Sequence, residues 1–137
     1  MKKIVIGYDD TDPAKRALER AVSLVKAFDA QLVVTSVTPV VASIGRSAGP
    51  IDPTDDPAKH EQELAAARAY LEGQGVTAEY QPAIGDVATA IVDSANEQGA
   101  DLIIVGTRDG GMLERLLHHS VSTAVAHKAH CDVLIVH

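Results

Sequence analysis

The chain has no tryptophan, one phenylalanine and three tyrosines, so no cluster of aromatic rings can hold its interior together. Its hydrophobic share is nevertheless 46%, and valine, leucine, isoleucine and alanine must build the core. Side chains of that size suit helices packed closely on a parallel sheet. The lone cysteine, Cys131, excludes an internal disulfide framework and agrees with a reducing compartment. No apolar run approaches the roughly 20 residues that span a bilayer, and no apolar leader with a cleavage site follows Met1-Lys2-Lys3. A cytoplasmic protein without a membrane partner is therefore expected. Basic residues are also in deficit, 12 against 19 acidic ones for a formal net charge of -7. Such a field repels nucleic acid, so a duplex-binding role is not expected.

A length of 137 residues fits one domain over residues 1–137, long enough to bury its own core without metal or disulfide. Ile4 to Tyr8 is an apolar run of strand length that gives way to acids. Asp12 before Pro13 reads as a helix cap followed by proline in the first turn, and Ala14, Ala17, Leu18, Ala21, Val25 and Phe28 recur at helical spacing as the buried stripe. Lys15, Arg16, Glu19 and Lys26 lie on the opposite, solvated face. Gln31 to Val37 is rich in β-branched residues and reads as a second strand, buried on both faces.

After Thr38-Pro39 come about twenty residues full of glycine and proline breakers, expected to form a long loop most mobile over residues 43–57. Asp56-Pro57 then opens a helix traced by Glu61, Leu64, Arg68 and Leu71 and ended by Gly73 and Gly75. Val76, Ala78, Tyr80 and Pro82 alternate with polar residues, marking a half-exposed strand whose proline favours a sheet edge. Gly85-Asp86 starts a further helix with Ala88, Ile91, Val92 and Ala95 on its buried side. Leu102 to Val105 is a buried strand that stops at Gly106, a helix begins near Ser120 and Ser122, and Asp132 to Val136 closes the chain as a last strand.

Strands and helices thus alternate. Right-handed crossovers turn such a chain into an α/β fold with a doubly wound, five-stranded parallel sheet in the order 3-2-1-4-5 and helices on both faces. The topological switch falls between the first and fourth strands, so the loops after Asp9 and Gly106 face one crevice, where helix N-termini present unpaired N–H groups. The last strand is then a sheet edge too apolar to leave open, which predicts a homodimer paired through it.

These features carry a resemblance. Gly106 and Ser120 stand at the first and last positions of G-x2-G-x9-G-[ST], and the ending Cys131-Asp132-Val133-Leu134-Ile135-Val136 and the Tyr8-Asp9 pair fit the same pattern of elements. In these respects the chain resembles the universal stress protein family. The resemblance implies a site for ATP, AMP or another adenine nucleotide. The acid Asp9 would contact ribose, and backbone at Val37 would contact the base. The loop Gly106, Thr107 and Arg108, with the helix start Ser120, Val121 and Ser122, would hold phosphate.

Two positions depart from the pattern. Asp109 and His119 replace glycines, adding a β-carbon each and, at Asp109, a negative charge where the outer phosphates of ATP would lie. The implied function is a cytoplasmic regulatory protein with a degenerate nucleotide site. The alternative is a dimeric interaction protein of the stress response that needs no nucleotide.

No catalytic residue is expected. There is no P-loop, no G-x-G-x-x-G after the first strand, and no base or orienting group assignable to Cys131. His118, His119, His127 and His130 match no metal-ligand spacing and read as surface helix histidines.

Overall fold

The computed structural model describes residues 1–39, 57–107 and 121–137. Its elements are β1 (Lys3–Gly7), α1 (Asp12–Phe28), β2 (Gln31–Pro39), α2 (Pro57–Gly73), β3 (Ala78–Gly85), α3 (Val87–Gln98), β4 (Leu102–Gly106), α4 (Val121–Lys128) and β5 (Asp132–Val136). The strands form one parallel sheet in the expected order, β3-β2-β1-β4-β5. Of the expected mobile stretch, residues 43–56 lie outside the described residues, and Pro57 is already the first residue of α2.

β1 is the middle strand, with Ile6 beside Val34 of β2 on one side and Ile104 of β4 on the other. Successive side chains leave opposite faces of a strand, so each buried strand feeds two cores. Ile4, Ile6, Val34 and Ile104 pack with Leu18 of α1 and Leu71 of α2. Val5, Val33, Ile103 and Val105 pack with Ile91 of α3 and Val125 of α4. The helices are thus layered two and two.

Two polar residues in the middle of β2 follow the same alternation, and each needs a partner because the strand is covered on both sides. Thr35 is bonded to Ser94 of α3 at 3.2 Å, and Ser94 donates to Gln81 at 2.8 Å. Ser36 turns the other way, to α2.

Four local readings change. The cap of α1 is Thr11 rather than Asp12: its hydroxyl accepts from the Ala14 N–H at 3.3 Å, and Asp12 and Pro13 are already in the first turn. Phe28 is 53% exposed, because α1 ends there and Asp29 turns the chain with φ 53. The inner stripe is completed by Val22 instead. β2 runs two residues further, to Pro39, where it still pairs with β3. On β3, Ala78 and Tyr80 pack inward while Pro82 is exposed; the strand is an edge, as its proline suggested.

At the opposite end of the sheet from the crevice, Asp101 ties β1 to β4. Its carboxylate accepts from the N–H groups of Lys2 and Lys3 at 2.7 and 3.0 Å, and these bonds hold its pKa below the usual carboxylate value.

The contrast between Leu71, fully buried, and Phe28, largely exposed, gives a test of the layering. Leu71→Ala should cost about 2–5 kcal/mol, whereas Phe28→Ala should cost about 1 kcal/mol or less. Urea denaturation of the two variants measures both.

Candidate functional site

The carboxyl ends of β1, β2 and β4 open into a pocket of about 130 Å³. Its walls come from both helical layers: Tyr8, Asp9, Thr11 and Ala14 at the start of α1, Val37 and Pro39 from β2, Lys59, His60 and Glu63 from α2, Val87 and Ile91 from α3, and Gly106 and Val121 from the last third of the chain. The volume is below the roughly 300–1,000 Å³ of clefts that enclose a whole small ligand.

Of the residues singled out by sequence, Asp9, Val37, Gly106 and Val121 meet in this pocket. Thr107 does not line it; its N–H and its hydroxyl both turn to the Val136 carbonyl, at 2.8 and 3.4 Å. Ser122 is buried on α4 away from the lining. Arg108 and Ser120, like Asp109 and His119, lie outside the described residues.

Asp9 has a local structural task. Its Oδ1 accepts from the Thr11 hydroxyl at 2.6 Å and from the Thr11 N–H at 3.2 Å, a side-chain turn that sets the chain for α1. The bend passes through Asp10, whose φ is 60, and is braced by the Tyr8 phenol donating to Asp10 at 2.8 Å. Burial, and then the Asp10 carboxylate, push the Tyr8 pKa far up, so the phenol stays a donor.

Gly106 has a packing task as well. A β-carbon there would stand 2.5 and 2.7 Å from the carbonyl carbon and oxygen of Pro13 and 2.8 Å from the Ala14 nitrogen. These are backbone atoms and cannot swing aside. Only glycine lets the end of β4 close against the first turn of α1.

The residues that sequence reasoning missed are on α2. His60 and Glu63 are 7% and 4% exposed. His60 Nδ1 lies 2.8 Å from Glu63 Oε2, and Ser36 donates to that same oxygen at 2.9 Å while standing 3.1 Å from Nδ1. Lys59 Nζ is 3.9 Å from the other Glu63 oxygen. His60 Nε2 is buried and has no hydrogen-bond partner among the described residues, a deficit of about 1–3 kcal/mol for a buried polar group. The signal was present: a serine inside a doubly buried strand needs a partner, and a His-x-x-Glu pair sits on one helical face.

The trio is no nucleophilic triad. Ser36 and Glu63 meet the same ring nitrogen, whereas a triad needs the nucleophile on one nitrogen and the acid on the other. Burial, with help from Asp132, pushes the Cys131 thiol up, so it rests protonated. No group of three potential metal ligands occurs among the described residues, and His127 and His130 are exposed. The arrangement can bind and discriminate.

Comparison with known proteins agrees with the geometry. Residues 1–137 match the model of the universal stress protein family. A universal stress protein of Methanocaldococcus jannaschii is 35% identical, with 98% of this chain and 81% of that protein covered. Among solved structures, a universal stress protein in complex with cAMP superposes with a TM-score of 0.77 at 30% identity, covering 99% of this chain and 97% of that one. A family protein from Arabidopsis thaliana with AMP bound superposes with a TM-score of 0.71 at 21% identity, covering 99% and 91%, a likeness of fold.

The Gly106 contact generates a prediction. Gly106→Ala should destabilise the fold by about 1–3 kcal/mol, the cost of overpacking against atoms that cannot yield. Gly7→Ala, whose new carbon would meet the mobile tip of Ile91 at 2.6 Å, should cost about 1 kcal/mol or less. Denaturation midpoints of the two variants decide.

Proposed function

Because the chain belongs to the universal stress protein family, we propose that it is a cytoplasmic, regulatory binding protein of the stress response whose switch-point pocket takes an adenine nucleotide. The observation that carries this reading is the meeting of Asp9, Val37, Gly106 and Val121 in one pocket between β1 and β4, where ligands of open α/β sheets bind. Val121 begins α4, so a helix N-terminus, which favours phosphate, stands at the rim. The similar protein solved with cAMP supports a ligand of this class. The reading assigns no catalysis, since the trio of Ser36, His60 and Glu63 lacks the arrangement for it. Among the described residues no helix is long and apolar enough to cross a membrane.

A monophosphate or cyclic nucleotide suits the chain better than ATP. By the family pattern Asp109 stands in the place of a glycine of the phosphate loop, where its charge would oppose the outer phosphates, a repulsion of about 1 kcal/mol or more near a surface. ATP should therefore bind weakly, and Asp109→Gly with His119→Gly should raise its affinity about fivefold while leaving AMP nearly unchanged. Calorimetric titration of both proteins at matched salt and magnesium tests this. Tight ATP binding by the wild type, with no gain in the double variant, would refute it. A mass spectrum of ligand released from freshly purified, denatured protein tests the nucleotide reading itself; protein that is empty and binds no added nucleotide leaves the interaction role alone.

The same proposal includes a homodimer through β5. The two sheet edges differ: β3 carries Pro82, which offers no N–H for pairing, whereas β5 has no proline, and its Val133, Leu134 and Ile135 remain partly exposed. Open apolar edges invite a partner strand. Sedimentation at micromolar concentration should give the dimer mass, and Leu134→Pro should shift it to monomer. A wild-type monomer would sink the proposal.

A further inference from the structure

The pocket wall that α2 supplies is anchored unlike the rest of that helix. From Leu64 onward α2 buries Leu64, Ala67 and Leu71 in the core shared with Val34, and Arg68 lies over the Tyr80 ring of β3, 4.4 Å from its centroid. Over residues 58–63 no apolar side chain is buried; the buried ones are His60 and Glu63. Their mutual contact at 2.8 Å and the approach of Lys59 to Glu63 at 3.9 Å run within the helix and do not join it to the sheet. The buried tie to the sheet is Ser36 of β2, whose hydroxyl donates to Glu63 at 2.9 Å and stands 3.1 Å from His60 Nδ1. A segment with few buried apolar contacts opens at a lower free energy than the core around it. Opening also lets water reach His60 Nε2, which while buried has no partner among the described residues.

We infer that the first two turns of α2 are a movable wall of the pocket, hinged near Leu64 and clamped shut by Ser36, which acts as a positioning residue through Glu63 and His60. Lys59, His60 and Glu63 of these turns line the pocket together with Val37 and Pro39 of β2. A ligand seated there touches both sides of the clamp and adds its own contacts to the hold of Ser36. Binding that needs the closed wall lowers the open population, and a looser clamp in turn lowers affinity. The clamp is a property of the empty protein; only its link to a ligand rests on the nucleotide reading of the pocket.

The neighbouring residue supplies the contrast. Thr35 leaves β2 on the other face, where its hydroxyl lies 3.2 Å from that of Ser94 on α3. That bond stays made when the α2 wall opens and is lost when the whole fold does. Removing the Thr35 hydroxyl therefore weakens the fold without loosening the wall, whereas removing the Ser36 hydroxyl does both.

Residue-resolved amide hydrogen exchange tests this. The N–H groups of residues 61–64 make the first intrahelical bonds of α2. In ligand-free wild type they should exchange about tenfold or more faster than those of residues 67–71. Their rate should also be nearly independent of low urea, because a local opening exposes little surface. Ser36→Ala should speed residues 61–64 about tenfold, one hydrogen bond's worth. Thr35→Val should leave them within about twofold while speeding residues 67–71, which open with the whole fold. AMP at about ten times its Kd should slow residues 61–64 about tenfold. Exchange of residues 61–64 that follows the urea dependence of global unfolding, or that ignores Ser36→Ala, overturns the clamp, and the wild-type urea series decides this even where Ser36→Ala fails to fold. Bound AMP that leaves residues 61–64 unslowed overturns the link to the ligand. Protein that binds no AMP refutes the nucleotide reading, and the clamp still stands or falls on the ligand-free series.

Discussion

The close approach of β4 to the first turn of α1, with Gly106 against the carbonyl of Pro13, is the constraint on which the pocket depends. In a doubly wound sheet the loops on either side of the switch diverge to opposite faces, and a crevice opens between them. Its width is set by how near the two strand ends come. Here the absence of one β-carbon lets backbone touch backbone, while the Asp9 turn and the Thr11 cap aim α1 across the opening. The phenol of Tyr8, kept as a donor by burial and by Asp10, fixes the bend from beneath. One corner is thus held by short-range contacts, and β2, α2, α3 and α4 supply the remaining walls.

Much of this was legible in the residues because burial and period act together. Strands covered on both faces read as unbroken apolar runs, as in Leu32-Val33-Val34 and Leu102 to Val105, and helices declare themselves by Ala17, Leu18 and Ala21 at helical spacing. With alternation established, strand order follows from chirality. Errors came where a terminus decides the outcome. Phe28 continues the apolar stripe by spacing, but the helix stops at it and the ring falls beyond the edge of the core. Thr11 and Asp12 are both capping residues, and only the hydrogen bond to Ala14 tells them apart.

The site divided along a different line. Asp9 and Gly106 were found because topology brings the carboxyl ends of β1 and β4 together, whereas Val37 and Val121 came from the resemblance to the family. His60 and Glu63 lie inside a helix with no such marker, on a face that an alanine-rich pattern leaves poorly defined. What exposes them is a demand from elsewhere in the chain: Ser36 is buried in β2 and must be answered from α2. A polar residue in a doubly buried strand is a question addressed to another element. Thr107 shows the reverse case, a residue well placed by motif whose backbone and hydroxyl are already spent on β5.

The tie from Asp101 to the N–H groups of Lys2 and Lys3 spans 98 and 99 residues, and β1 takes its β4 neighbour at the same distance along the chain. A ribosome therefore releases the middle strand well before its second partner. The sheet half made of β3, β2 and β1 can gather early, with one flank of β1 left as an open, apolar seam until β4 emerges. Contacts of such long separation slow folding and prolong the exposure of unpaired strand. Because Gly106 is the last residue of that late strand, the pocket cannot exist before β4 is in place. A chain cut short before β4 would keep half a sheet and no crevice, so whatever the pocket recognises can bind only to protein whose synthesis has passed β4.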